Sequence, residues 1–567
     1  MKKKYLFFLS FILTNTLLAQ WNSDPATGGT IINNAITSEN IQAAVTDGAN
    51  GTIAVFESSD NTGVSNIYAQ RINSNGQIQW GLTNNPKPVC VHSAYKYIEN
   101  VIPDGSGGVF VAWYDYRNIV DSLTDIYVQH LNSSGDPLWP ANGIMINNVN
   151  DREAYEVRLC SDGGSGVIVV WSESLYDTDQ MITTYSQLFA QKFNSAGTAA
   201  LWGDGGLEIC TAAGIRGAPS LVPDGGGGVI VSFADTRNSN QLPEDVFDNI
   251  DIYAQRISSA GSLLWTGDGA AVNTQSYNQF IGGEYLQTNA TISDGAGGVI
   301  ILFDDYTGDN DGSSNFYVQH LNSSGARQWA AAGLPVCVSG TDKFLIKTIS
   351  DGAGGMISFW SEDRTGGGIY SSYAQRILAN GTASWAADGA KLIDDIGGYG
   401  GFGSDFTGDG NGNYIFTWTD AAYNLQAQKI NGSGVIQWGV TNKEVCTNPN
   451  AYPVLTRIVK SDAGNSIITW LDNRNYTSSS TDIYAAKLDA SGYLVGLPSA
   501  TTYITVANGN WNVGATWQGG IVPPANADVK IRHTVTVTAN ATCHSVRVEP
   551  LNGNLTVNTG INLTLSQ

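Results

Sequence analysis

Four short stretches hold the side chains best placed to do chemistry. Asp115-Tyr116-Arg117-Asn118, Asp235-Thr236-Arg237-Asn238 and Asp472-Asn473-Arg474-Asn475 each set a carboxylate two residues before a guanidinium, and Asp363-Arg364 is a looser copy. Guanidinium and carboxylate match in shape and charge, so each stretch admits two readings. In one, the Arg pairs with an acid further along the loop (Asp125, Asp251 or Asp482) and braces it without any ligand. In the other, Asp115, Arg117, Asp235, Arg237, Arg364, Asp472 and Arg474 form a partial ring of charge for a polar or acidic ligand.

A fifth stretch runs from Asp304 to Gly312 and offers acids at Asp305, Asp309 and Asp311. Oxygen ligands at that spacing suit calcium, although the distal Glu of an EF-hand loop is missing. Calcium is the one cofactor the sequence suggests. His92, His533 and His544 are scattered, without the spacing of metal ligands. No nucleophile, base and acid fall into a catalytic pattern.

The elements that must hold these loops belong to a repeat. Its leading residue is Asp47, Asp104, Asp162, Asp224, Asp294, Asp351, Asp409 and Asp462, at intervals of 53 to 70 residues. Each Asp opens a tight turn of the Asp-Gly-x-Gly-Gly type, and an aromatic ends the next strand, nine residues on in seven copies. A strand such as Ile252-Tyr253-Ala254-Gln255-Arg256 follows, then an Asn-Ser-x-Gly turn, then a Trp and an apolar pair. Apolar residues alternate at period two, as in Val109, Val111 and Trp113. Four short antiparallel strands, here called a to d, repeated eight times predict an all-β, eight-bladed propeller over residues 20–498.

Tryptophan decides how the ring closes. Strand d carries Trp80, Trp139, Trp202, Trp265, Trp329, Trp385 and Trp438, but the eighth unit has none. Trp21 and Ile31-Ile32 lie where such a strand would, which predicts that the N-terminal segment completes the last blade and removes a free edge. Seven blades with an added strand is the alternative. A basic residue occupies one strand-c position in every unit, from Arg71 and His130 to Lys487, and reads as a structural pairing with a nearby acid. The loops joining b to c and d to a vary in length while the opposite turns stay constant, so ligand binding is expected on the variable rim.

Six cysteines make no disulfide framework. Cys90, Cys210, Cys337 and Cys446 share one repeat position in alternate units, too far apart to be bridged, and read as buried thiols. The formal charge of −22 argues against nucleic acid and anionic lipid as partners. Lys2-Lys3-Lys4 followed by an apolar stretch to Leu18 reads as a signal peptide over residues 1–19, and no other segment is apolar enough to span a bilayer. The expectation is a secreted, monomeric protein, either free or held at the outer cell surface.

The Asp-Gly turn with its following aromatic, as in Ser293-Asp294-Gly295 and Phe303, resembles the Asp-box of sialidase-like propellers, Ser-x-Asp-x-Gly-x-x-Trp. Here Ser adjoins Asp and the aromatic comes later. The arginine triad and Tyr–Glu pair that this resemblance implies have no assignable positions. The whole repeat region is similar to the large secreted propeller-repeat proteins of Gram-negative bacteria, which implies a terminal sorting domain that is not visible here. Residues 499–567 change pattern to Trp517-Gln518-Gly519-Gly520 and short rungs such as Val535-Thr536-Val537. They resemble the opening of G8-like and β-helical modules and read as a solenoid-like module that is either incomplete at Gln567 or pairs its last rungs with something else. Together these features point to an adhesion or binding propeller for an extracellular protein or glycan. The alternative is a propeller-type carbohydrate-active enzyme, a glycosidase or lyase.

Overall fold

A computed structural model describes residues 21–34, 38–59, 64–118, 124–147, 152–177, 182–239, 249–282, 290–306, 315–341, 343–393, 404–439, 442–475, 481–496, 502–523, 527–543, 545–549 and 553–565. The expected signal peptide lies outside them. Two compact units form, Asn22–Val495 and Gly496–Gln567 with Trp21. Apart from three short 3-10 turns, the secondary structure of the described residues is all β.

The larger unit is an eight-bladed β-propeller. Blade 2 shows the plan: Lys96–Pro103, Val109–Asp115, Asp125–Leu131 and Ile144–Met145 form one antiparallel sheet in chain order. Strand b is buried on both faces because each blade is sandwiched between two others. Val109, Val111 and Trp113 pack toward blade 1, with Val55 and Ile67. Phe110 and Ala112 pack toward blade 3, with Val169 and Trp171. The period-two alternation therefore sorts residues between two apolar layers rather than between core and water.

Neighbouring inner strands pack in sequence around the ring, and Val454–Lys460 of the last blade meets Ser38–Thr46 of the first. Blade 8 is completed by Thr30–Asn33, which pairs antiparallel with Asp482–Leu488 and sets Ile31 opposite Tyr484. The N-terminal strand thus closes the ring as its missing edge. In blade 5 strand a is divided, with Gln279–Ile281 and Thr291–Ser293 both pairing to Val299–Asp305.

The constant rim is built by the leading Asp. Asp104 Oδ1 accepts the main-chain N–H groups of Ser106 and Gly108, both at 2.7 Å, and so shapes the a–b turn. Its Oδ2 lies 3.1 Å from His130 Nε2 on strand c. Every blade repeats this pair, from Arg71–Asp47 at 2.9 Å to Lys487–Asp462 at 2.6 Å. In most blades the base also reaches the next one. Arg71 donates to the Ser133 carbonyl at 3.0 Å, and the Trp80 indole donates to that same oxygen at 2.9 Å. The glycine of the c–d turn lies flat on this indole: a Cβ at Gly135, where φ is +76°, would come 2.7 Å from the Trp80 ring. That contact seats the turn glycine against the neighbouring blade.

The smaller unit pairs its strands in parallel. Thr502–Ile504, Asp528–Ile531 and Ser545–Val548 form one sheet, while Gly509–Asn510, Thr534–Val537 and Asn554–Val557 form a second. Val529, Ile531, Val535, Val537 and Cys543 fill its interior with Trp511 and Trp517. Stacked parallel rungs around an apolar interior are solenoid architecture.

Ile32 is fully buried in the closing strand. Ile32→Asp is expected to lower the unfolding free energy by more than about 3 kcal/mol in urea denaturation. It should also expose the edge of Asp482–Leu488, which sedimentation would register as self-association.

Candidate functional site

On the variable rim the Asp-x-Arg-Asn stretches are braced from within, by partners other than those the spacing suggests. Arg117 pairs with Asp115, two residues back, through Nη2 at 2.5 Å, and its guanidinium lies 3.9 Å from the centre of the Tyr127 ring. Arg237 and Arg474 repeat the arrangement with Asp235 and Asp472, stacking on Tyr253 and Tyr484. Asp125, Asp251 and Asp482 go instead to the amides of Asn118, Asn238 and Asn475, at 2.9, 2.6 and 2.7 Å. In blade 6 the partner of Arg364 is Glu362, while Asp363 accepts the loop N–H groups of Thr365, Gly366 and Gly368. Burial opposes the charge on all four guanidinium groups, but the bonds to the adjacent carboxylates outweigh it and raise them above the ordinary arginine value.

The same four arginines explain the alternating cysteines. Arg117, Arg237, Arg364 and Arg474 lie in even-numbered blades, and each points Nη2 at a thiol of the preceding blade: Cys90, Cys210, Cys337 or Cys446, at 3.2 to 3.7 Å. Each Nη2 also donates to a carbonyl of its own strand-d side, at Asn142, Asp268, Asp388 or Gly28. The charge-bearing residues of the expected ring are thus brought to one rim, as parts of a two-blade clasp. All six thiols are buried, and burial pushes Cys90 and Cys446 up to about 11.

Toward the axis, inner strands are stitched together by polar groups. Arg158 meets Glu99 at 2.6 Å, Lys347 meets Asp405 at 2.8 Å, and Arg457 donates to the Gln42 carbonyl across the closure. Glu57 accepts the Ile98 N–H at 2.8 Å, and burial raises its carboxyl to about 7.

What the sequence reading overlooked is a set of tyrosines on the variable rim. Tyr95 and Tyr116 pair at 5.6 Å between ring centres, and Tyr423 and Tyr452 at 5.1 Å. Phe280–Tyr306 and Phe344–Tyr370 form similar pairs at 5.5 Å. Tyr277, Tyr423 and Tyr452 are 54, 55 and 47 % exposed, and all three sit in left-handed backbone, at φ of +80°, +61° and +42°. Bulky residues avoid that region, and Tyr423 fills the left-handed place of the Asp420–Asn424 turn that glycine takes in turns of the same bonding, such as Asn132–Asp136. No periodicity or motif marks them; only their loops' variable length points the same way.

Of the acids expected to bind calcium, Asp305 is buried at the end of strand b, and burial raises its carboxyl. Asp309 and Asp311 lie outside the described residues. Among the described residues no group of three or more His, Cys, Asp or Glu side chains is placed to hold a metal, and no helix is long and apolar enough to cross a membrane.

No protein-family model matches the chain, and no curated protein does. Solved structures that resemble it include propellers of several activities. A lectin from Burkholderia pseudomallei, BP39L, is 11 % identical, with a TM-score of 0.39 over 73 % of this chain and 99 % of its own. A polysaccharide lyase, an ulvan lyase, is 13 % identical, with a TM-score of 0.38 over 84 % and 97 %. The NanB sialidase from Streptococcus pneumoniae is 12 % identical, with a TM-score of 0.32 over 82 % and 71 %.

Two measurements probe this rim. Among the described residues, Arg474→Ala leaves Asp472 buried with only the Trp470 indole, 2.9 Å away, as a side-chain donor beside it, whereas Arg237→Ala leaves Asp235 with Arg216 at 3.0 Å. In chemical denaturation the first is expected to cost about 3 kcal/mol and the second clearly less. Glu57 is protonated more readily in the folded than in the unfolded chain. Its contribution is therefore favourable at low pH and is lost as pH rises from about 4.5 through 7. Glu57→Gln should remove that slope from the stability–pH profile and leave the chain more stable than wild type at pH 8.

Proposed function

We propose that the chain is an extracellular binding propeller whose variable rim recognises a glycan. One observation carries this reading: three half-exposed tyrosines, Tyr277, Tyr423 and Tyr452, are held in left-handed backbone on that rim. A bulky aromatic kept at the surface in such backbone supports a role for the side chain itself. Tyrosine joins an apolar face to a hydroxyl tip, which suits the apolar faces and hydroxyl edges of sugar rings. Aromatic pairs present such faces already ordered, so little side-chain freedom is lost on binding. The formal charge of −22 favours neutral sugars over polyanionic ones. Asp115, Arg117, Asp235, Arg237, Arg364, Asp472 and Arg474 then serve chiefly to hold the loops on which the aromatics sit, and only their outer edges are offered to a ligand.

The full chain on a neutral-glycan array is expected to show binding that Tyr423→Ala with Tyr452→Ala weakens at least ten-fold, with an unchanged thermal midpoint. A blank array, or binding only to matrix proteins, would overturn the glycan reading. A second reading, a carbohydrate-active enzyme, is favoured by Glu57, whose raised carboxyl lies in the range useful to a general acid. Release of reducing ends by wild type but not by Glu57→Gln would establish it.

A further inference from the structure

Seven of the eight blades place a carboxylate two residues beyond the aromatic that ends strand b: Asp115, Glu173, Asp235, Asp305, Glu362, Asp420 and Asp472. Six of them are compensated. Asp115, Glu362 and Asp472 have their arginines, Glu173 has Arg152 at 3.6 Å, and Asp235 has both Arg216 and Arg237. Asp420 accepts from the main chain of Ala422 and Asn424 and from the amides of Asn424 and Gln426.

Asp305 has no charged counterpart among the described residues, and its side-chain hydrogen-bond partner is the neutral Gln279. Strand b of its blade ends in Phe303, so it lacks the indole N–H that Trp113, Trp171, Trp360 and Trp470 give their carboxylates. Blade 4 also ends strand b in a phenylalanine, Phe233, and there two guanidinium groups meet the acid. The cross-strand position tells the same story. Lys96 stands opposite Asp115, Arg216 opposite Asp235 and Lys343 opposite Glu362, but neutral Gln279 stands opposite Asp305. Lys96 spends its ammonium on the carbonyls of Ser65, His92 and Ala94. Gln279 copies those bonds through Nε2, to Gln275, Ser276 and Tyr277, without bringing the charge. Two oxygens are left over: Asp305 Oδ1 and Gln279 Oε1 are buried and have no hydrogen-bond partner. Gln279 is fully buried and Asp305 only 7 % exposed.

We propose that blade 5 holds a hard metal cation, calcium by its all-oxygen donors, on Asp305 Oδ1 and Gln279 Oε1, in the place that lysine or arginine fills in other blades. A buried carboxylate without a counter-charge is costly, and a bound cation removes that cost as the arginines do. Carboxylate and amide oxygens select hard cations over thiophilic ones. The connector that Gln279 fastens carries Tyr277, so the cation would also steady one edge of the aromatic rim. The inference does not depend on what the rim binds.

The test uses the full chain, stripped with chelator and titrated with calcium chloride, read by calorimetry and by thermal midpoint. Wild type is expected to bind and to rise in midpoint by several degrees. Gln279→Lys, which supplies the missing ammonium, should raise the midpoint without calcium and abolish the response; Asp305→Asn should abolish the response alone. Absence of heat and shift in wild type would overturn the proposal, as would an undiminished response in both variants. So would a wild type blind to calcium that loses stability from pH 4 to 7 while Asp305→Asn does not, because a proton would then occupy the place.

Discussion

A carboxylate shut away from water stays charged only when its lone pairs are taken, and the leading Asp of the first seven repeats meets that condition from two sides, whereas in the eighth Lys487 and Asn465 both reach Oδ1 of a half-exposed Asp462. In the first seven, two N–H groups of the hairpin bind one oxygen, and the base on strand c binds the other. The base then reaches the c–d turn of the next blade in several blades, often sharing its carbonyl acceptor with the strand-d indole. One buried group therefore shapes the turn, fixes strand c and sets the seat of the neighbouring blade. Lys487, donating to the Ser74 carbonyl at 3.0 Å, makes the same connection between the last blade and the first.

The opposite rim follows a different rule with a longer period. There the arginines recur only in even blades and the thiols beneath them only in odd ones. The ring is thus eight-fold on one rim and four-fold on the other. A thiol is small enough to pack under a guanidinium and a weak enough acceptor to leave its charge for the carboxylate. The constant rim makes the scaffold rigid, and the two-blade clasp positions loops that differ in every copy.

The architecture was legible because its causes recur. Eight aligned Asp residues, a basic residue at one strand-c position and a Trp missing from the last unit suffice to number the blades and to send Thr30–Asn33 to the end of the ring. The candidate site was legible only in part. The guanidinium groups of Arg117, Arg237 and Arg474 were visible, but their thiol partners lie 27 or 28 residues earlier in the chain and belong to another blade. The role of Glu362 was hidden because Asp363 beside it fits the motif better by name. The left-handed tyrosines carry no periodic signal, since backbone conformation at a single loop residue leaves none, and only the variable length of their loops points to them. Asp305 stands out only against its equivalents, once strand register shows that Gln279 faces it.

The borrowed strand of the last blade has a consequence for how the molecule is made. Arg474 holds Gly28 across a separation of 446 residues, and the ladder beside it spans a similar distance. Loop closure on that scale comes late in folding, after most local hairpins have formed. Until the beginning of the chain returns, Asp482–Leu488 presents an unpaired apolar edge that any other strand can capture. Synthesis delivers Thr30–Asn33 first and its partner strand last, so the N-terminal strand must wait unpaired through the making of nearly the whole ring. Its brevity, four residues, limits what it can do in the meantime.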